Sequence, residues 1–366
     1  FDPDELDEIV HSALEFPIPL TEFGEGVHLL ELFHGPTLAF KDVGARFMAR
    51  TMRACHQADE PLTVLVATSG DTGSAVADAF LGLENTRIVV LFPDGQVSDL
   101  QERQFTTLGE NVRALAVQGT FDDCQRLAKT AFADGDLRSR LPMTSANSIN
   151  IGRLLPQIFY YFGAWAQLPT SNRGLVFCTP SGNFGNLTAG LMAKRLGLPV
   201  GGFVAATNSN DVVPEYFASG TYRPRPSERT ISNAMDVGDP SNLTRILHLY
   251  DGELDHLRRD VRAVSATDND TRRCIRSVFD STGRVIDPHT AVGLSGLERT
   301  LAGRRSPTDA VLIATAHPAK FREIVEPVIG AEIPLPARLA AHLENERQVI
   351  SIEPVYGDLR SVLLEG

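Results

Sequence analysis

Lysine is scarce in this chain. Lys41, Lys129, Lys194 and Lys320 are the only four, against thirty arginines, so positive charge is supplied almost wholly by guanidinium. A lysine kept in such a chain points to amine chemistry, because arginine does not lose its proton near neutral pH, whereas lysine becomes a free amine and condenses with carbonyls. Cysteine is scarce too. Cys55, Cys124, Cys178 and Cys274 show neither a CxxC pair nor metal-like spacing, which excludes a disulfide framework and reads as reduced, mostly buried thiols of a cytoplasmic protein. Positive charge is in deficit: the formal net charge is −12. Such a surface repels nucleic acid and anionic membranes while leaving room for a local basic pocket that takes a small anion. No apolar run approaches the length of a membrane span. The chain opens on Phe1 without a basic and then apolar leader, and we expect a segment upstream of it.

What is present is ordinary globular composition, 43% hydrophobic and 22% charged in 366 residues, enough for two domains or one with a large inserted lobe. Short β-branched runs alternate with amphipathic stretches. Leu62–Ala67 precedes a helical pattern over 73–81, Ile88–Phe92 one over 98–108, and Val112–Val117 one over 121–134. The rhythm resumes with Leu175–Thr179, a helix over 186–196, Gly202–Ala206 and Ala310–Ala314. Continuous apolar strands joined by helices predict parallel sheets covered on both faces, in two α/β lobes. Between them, 146–153 reads as a loop entering a helix over 158–165, whose start is obscured by Pro156. Residues 219–242, rich in Pro, Arg, Ser and Gly, read as a long surface loop of the functional kind. There is no internal repeat and no low-complexity tract.

Two glycine turns follow predicted strands, TSGDTG (68–73) and PSGNFGN (180–186). At the carboxyl end of a parallel strand, a glycine turn into a helix offers backbone N–H groups and a positive dipole end to an anion. Neither is a Walker A or a GxGxxG turn, and each reads equally well as a tight connection that needs glycine for its backbone. In SANSINIGR (145–153), Arg153 sits near a helix start, where a cation opposes the dipole; a ligand phosphate or an ordinary carboxylate would compensate it. Lys41 follows Leu38, Ala39 and Phe40. It is either an exposed lysine paired with Asp42 or Glu31, or an amine whose apolar surroundings favour its neutral, nucleophilic form. A lysine Schiff base with a phosphate cradle in an α/β fold is what pyridoxal 5′-phosphate requires.

The segments HGPTLAFKDVGARFMA, ATSGDTGSAVADAF, SANSINIGRLLPQ, PSGNFGNLTAGLMAKRLGLP, ATNSNDVVPEYF, ISNAMDVGDPSN, DPHTAVG and TAHPAKF, in this order from about 16 to 321, resemble the threonine synthases, pyridoxal-phosphate enzymes of fold type II, the tryptophan-synthase-β type. ISNAMDVGDPSN and TAHPAKF are specific to that family. The resemblance implies pyridoxal 5′-phosphate joined to Lys41, with Gly182, Asn183, Phe184, Gly185 and Asn186 as the cofactor-phosphate loop and the Thr315 hydroxyl at the pyridine nitrogen. It sets Asp71 by the cofactor's 3′-oxygen, where an anionic carboxylate would repel a phenolate. Thr68, Ser69 and Thr72 match the loop for the substrate carboxylate. Ser148, Asn150 and Arg153 match the substrate-phosphate side, with Asn186 serving both ligands.

The function so implied converts O-phospho-L-homoserine and water to L-threonine and phosphate by β,γ-replacement, with no metal. The competing readings are a phospho-lyase on the same scaffold, acting on phosphohomoserine or an amino-alcohol phosphate, and a catalytically silent pyridoxal-phosphate-binding protein. The expected division is a large cofactor-binding domain, 1–42 with 146–366, and a smaller mobile α/β domain, 43–145. The expected partner is a small-molecule substrate, with no nucleic acid and no membrane, and a monomer is favoured over a homodimer.

Overall fold

The computed structural model describes residues 1–55, 60–169, 173–302 and 307–365. The strands are β1 (Leu20–Gly24), β2 (Val27–Glu31), β3 (Leu62–Ala67), β4 (Thr86–Pro93), β5 (Val112–Val117), β6 (Met143–Ser145), β7 (Gly174–Pro180), β8 (Gly202–Thr207), β9 (Val261–Ser265), β10 (Thr308–Ala314) and β11 (Val349–Ile352). The helices that matter for the site are α1 (Pro3–Ala13), α2 (Lys41–Cys55), α3 (Asp71–Phe80), α4 (Asp99–Thr106), α5 (Phe121–Ala133), α6 (Gly135–Arg140), α7 (Ile151–Leu154), α8 (Ile158–Gln167) and α9 (Gly185–Arg195). The chain divides into two compact units, one of residues 1–15, 35–153 and 335–366, the other of 16–34 and 154–334.

The first unit carries a five-stranded sheet in the order β11-β5-β4-β3-β6, parallel throughout. Its central strands are apolar over most of their length, with Thr63, Thr86, Arg87 and Arg113 near their starts, because both faces are covered. Val64, Val66, Ile88, Val90 and Phe92 join Ala45, Met48, Ala75, Val76 and Phe80 of α2 and α3 in one core. Their sequence neighbours Leu65, Ala67, Val89 and Leu91 join Cys124, Leu127 and Ala131 of α5, with Leu359 and Leu363, in the other. This unit takes in more chain than the expected 43–145. β11 pairs with β5, and the C-terminal helix Tyr356–Leu364 places Leu359 and Leu363 in the α5 core, so residues from 335 on belong to this unit.

The second unit carries a six-stranded sheet, β1-β2-β10-β7-β8-β9. β1 runs antiparallel on the edge and the other five strands are parallel. Pro156 lies in the first turn of a 3-10 helix over Leu155–Gln157 that leads into α8, where a missing N–H removes no helical bond. Of the segment 219–242, residues 220–229 lie largely at the surface without regular structure, as expected, whereas the later part turns inward. Ser232, Met235 and Asn242 are buried, and a 3-10 turn forms at Asn233–Met235. Asn208 Nδ2 donates to Thr230 Oγ1, Ser232 Oγ and Asp236 Oδ1, and Asn210 Nδ2 to Glu228 O and Asp236 Oδ1. These amides satisfy polar groups that water would otherwise have to reach. Among the described residues no helix is long and apolar enough to cross a membrane.

Candidate active site

In the first unit, Lys41 is the first residue of α2 and is half-buried. A positive charge there faces the positive end of the helix dipole, so the position suits a neutral nitrogen better than an ammonium. The turn before it is fixed from inside. Thr37 N–H donates to Asp42 Oδ2 at 3.0 Å, and the Thr37 hydroxyl donates to Asp42 Oδ1. Buried Leu38 between them takes a left-handed backbone, φ +57. The Phe40 ring centroid lies 5.4 Å from Lys41 Nζ.

Three loops of this unit adjoin. β6 pairs with β3, and beyond the pairing Asn147 takes over, accepting from Ala67 N–H at 3.1 Å and donating to Ala67 O at 2.7 Å. That side chain ties the loop holding Ser148, Asn150 and Arg153 to the root of the TSGDTG turn. Asn150 is engaged locally: Nδ2 donates to Ser145 O, and Oδ1 accepts from Gly152 N–H. Arg153 is buried, and its Nη1 donates to Ala146 O at 2.8 Å. Its carbonyl packs against α2 so closely that a Cβ on Gly44 would stand 2.8 Å away. The guanidinium and Lys41 are thus carried by the same helix contact.

Within TSGDTG, the Thr68 hydroxyl donates to Gly70 O at 2.9 Å and accepts from Gly70 N–H at 2.9 Å and Gly73 N–H at 2.8 Å. Its single proton is therefore engaged inside the loop. Ser69 and Thr72 stand half-buried at the turn. Asp71, buried, begins α3, where its charge complements the helix dipole.

In the second unit, the PSGNFGN turn joins β7 to α9. Phe184 at the cap of α9 is left-handed, φ +60, with no side-chain capping bond and no acidic residue in the first turn; the first-turn N–H groups of a helix have no acceptor within it. Buried Asn186 has its Oδ1 and carbonyl turned to the Tyr161 hydroxyl, while its Nδ2 has no hydrogen-bond partner. Gly182 has no space for a side chain, since a Cβ would lie 2.7 Å from Met235 Cα and 3.0 Å from Ala234 O. Asn183 Oδ1 accepts from Ser241 N–H at 2.6 Å and its carbonyl from Asn242 Nδ2 at 3.0 Å. An unpaired buried donor, open helix amides and a backbone close enough to admit only glycine are the donor set that a phosphate monoester fits.

β10 neighbours β7 in parallel, with Leu312 opposite Cys178. Continued by three residues, that register sets Thr315, buried, level with Ser181 at the root of the PSGNFGN turn. Nearby, His317 Nδ1 accepts from Ala319 N–H at 3.1 Å. Burial first, and His34 second, hold this imidazole below its ordinary pKa.

The candidate residues therefore fall into two sets. Lys41, Thr68, Ser69, Asp71, Thr72, Ser148, Asn150 and Arg153 belong to the first unit, and Gly182–Asn186 with Thr315 to the second. Sequence reading missed Asn147, Tyr161 and Gln101, whose polar partners lie far along the chain. It also passed over Lys320, fully buried, although its rarity as one of four lysines was a signal.

Residues 13–316 match the family of pyridoxal-phosphate dependent enzymes, and residues 290–362 the family described as threonine synthase, C-terminal. Over 360 residues the chain is 47% identical to threonine synthase of Serratia marcescens, covering 98% of this chain and 82% of that one. The chain belongs to the threonine synthase family. The crystal structure of threonine synthase from Escherichia coli superposes with a TM-score of 0.92 at 45% identity, covering 100% of this chain and 84% of the other. That of pyridoxal-phosphate-bound threonine synthase from Brucella melitensis gives 0.90 at 36%, covering 99% and 84%. The fold is type II, the activity is that of a threonine synthase, a carbon–oxygen lyase, and the cofactor is pyridoxal 5′-phosphate. Neither the phospho-lyase nor the silent binding protein is favoured by these relatives.

Proposed function

We propose that the chain converts O-phospho-L-homoserine and water to L-threonine and phosphate with Lys41 as its proton-transfer group. The observation that carries this assignment is the packing of the Arg153 carbonyl on Gly44 of α2. It puts a buried guanidinium on the helix that Lys41 begins, as a substrate with a reacting α-carbon and a phosphate ester requires.

When bound, pyridoxal phosphate supplies the electron sink for negative charge at the α-carbon. Lys41 would hold the cofactor through Nζ, and the same nitrogen would be the group that takes the Cα proton of the substrate. A second proton leaves Cβ, phosphate departs from Cγ, and Cγ gains a proton. Water then adds at Cβ and Lys41 returns the proton to Cα. These transfers require Nζ within hydrogen-bond reach of the carbon. Arg153, with Ser148 and Asn150, holds the departing phosphate; a planar fork suits it better than an ammonium does. Ser69 and Thr72 receive the substrate carboxylate, and Thr68 shapes their loop. Gly182 to Asn186 would bind the cofactor's phosphate through the first-turn amides of α9, with Asn186 Nδ2 donating also on the substrate side. The Thr315 hydroxyl would meet the ring nitrogen and, unlike a carboxylate, would not keep it protonated, and Asp71 would face the 3′-oxygen. The free thiols Cys124 and Cys178, buried, support a reducing, cytoplasmic location. A monomer is the proposed state, which light scattering tests.

Steady-state assay with phosphohomoserine and identification of the amino-acid product test the reaction. Arg153→Ala is expected to lower kcat/KM by roughly 30- to 1,000-fold, the loss of about 2 to 4 kcal/mol from a desolvated charge-assisted bond, with cofactor binding intact. Arg153→Lys should recover part of it. A lower melting temperature with kcat/KM unchanged would make Arg153 structural only.

A further inference from the structure

Helix α4 presents two buried glutamines three residues apart, and each meets one of the loops just described. Gln101 has no exposed surface. Its Oε1 accepts from the Ser98 hydroxyl at 2.9 Å and its Nε2 donates to Asp71 Oδ1 at 2.7 Å. The chemistry fixes the amide's orientation, since the reverse would set a carbonyl oxygen against a carboxylate. The Gln101 carbonyl accepts from the Ser74 hydroxyl of α3 at 3.2 Å. The amide also fills the space beside Gly70, where a Cβ would lie 2.6 Å from Nε2 and the backbone is at φ +142. Gln104, also buried, donates Nε2 to Thr37 O at 3.1 Å, and Thr37 in turn donates to Asp42, the residue after Lys41.

We propose that Gln101 and Gln104 are positioning residues for the reaction, so that one face of α4 sets Asp71 and the Lys41 turn in register. The inference rests on the roles proposed above for Asp71 and Lys41. A glutamine is the fitting side chain for this task. A buried carboxylate needs a donor, and an arginine or lysine would supply one while cancelling the negative charge. A neutral amide holds Asp71 in place and leaves its charge to act on the ring oxygen.

The test uses the full-length holoenzyme and the variants Q101L, Q104L, D71N and D71N/Q101L. Hydrogen exchange reads the loops directly. Losing one buried hydrogen bond should speed exchange about tenfold, at 70–73 in Q101L and at 37–42 in Q104L, with α5 unchanged. A pH titration of the cofactor's visible absorbance reads the charge. D71N should shift its midpoint downward, Q101L in the same direction, and the double variant no further than D71N, because the two act through one group. Unchanged exchange at both loops with only a lower melting temperature overturns the proposal, as do additive shifts in the double variant. If D71N leaves the midpoint unmoved while Q101L still loosens 70–73, positioning stands and the assignment of Asp71 to the ring oxygen falls.

Discussion

The two glycine turns look interchangeable in the sequence and are opposites in the structure. Both follow a parallel strand and open a helix. In 68–73 the Thr68 hydroxyl takes the N–H groups of Gly70 and Gly73, Asp71 begins the helix, and Gln101 closes the remaining space. In 181–186 the helix has no side-chain cap and no acid in its first turn, and Asn186 Nδ2 lacks a partner. One turn is satisfied and negative; the other has donors to give. Glycine after a strand therefore marks a tight backbone, and the anion site is marked by what the neighbouring side chains leave unsatisfied.

The sharpest way to break the contrast is to give the second turn the charge of the first. Asn186→Asp should weaken cofactor binding by more than about 100-fold, since juxtaposed like charges cost several kcal/mol; equilibrium dialysis with pyridoxal phosphate and with pyridoxal, which lacks the phosphate, should show the loss only for the former. Gly182→Ala should cost about 1 to 3 kcal/mol of cofactor affinity, because its methyl meets backbone at Met235 and Ala234. Retention of the cofactor through gel filtration at wild-type levels would show that this contact relaxes freely.

The first turn should fail differently. Thr68→Val keeps the shape and strands two N–H groups, which is expected to destabilise the fold by about 2 to 4 kcal/mol while pyridoxal-phosphate affinity stays within about threefold. Denaturant unfolding and dialysis on one preparation would separate the two effects. The smallest effect concerns the segment behind the second turn. Asp236 is pushed up to about 6, chiefly by burial, against hydrogen bonds from Thr230 and Asn208. Its folded value exceeds the unfolded one, so its contribution to stability is complete below about pH 4 and lost as pH rises through about 6. Between pH 4 and 6.5 the melting temperature of Asp236→Asn should lack a decline of about 1 to 2 °C seen in the wild type.

Much of this frame was legible. β3 and β5 stand where LTVLVA and VRALAV set them, because a strand buried on both faces must be largely apolar. The glycine turns, Lys41 and Arg153 were legible as residues, but their surroundings were not. Whether Thr68 is a ligand or an internal brace depends on Gly73 bending back to it, and Gln101, thirty positions from Asp71, carries no mark of that contact. The burial of Ser232, Met235 and Asn242 was hidden for the same reason: their segment has the composition of a surface loop until Asn208 and Asn210 are folded against it. Pairing between β5 and β11 escaped because nothing local in Val349–Ile352, three of whose four residues are exposed on an edge, announces its partner.

That edge strand has a consequence for how the chain is made. β5 is complete once residue 117 has been synthesised, yet its neighbour β11 spans 349–352. At about 5 to 20 residues per second, the growing polypeptide carries an unpaired strand edge for roughly 10 to 50 seconds before the ribosome delivers the segment that covers it. An open edge of apolar strand is a template for pairing with other chains. Translation speed between residues 118 and 352 thus bears on yield, through the time for which nascent chains crowded on one polysome can find each other before β11 emerges to cover β5.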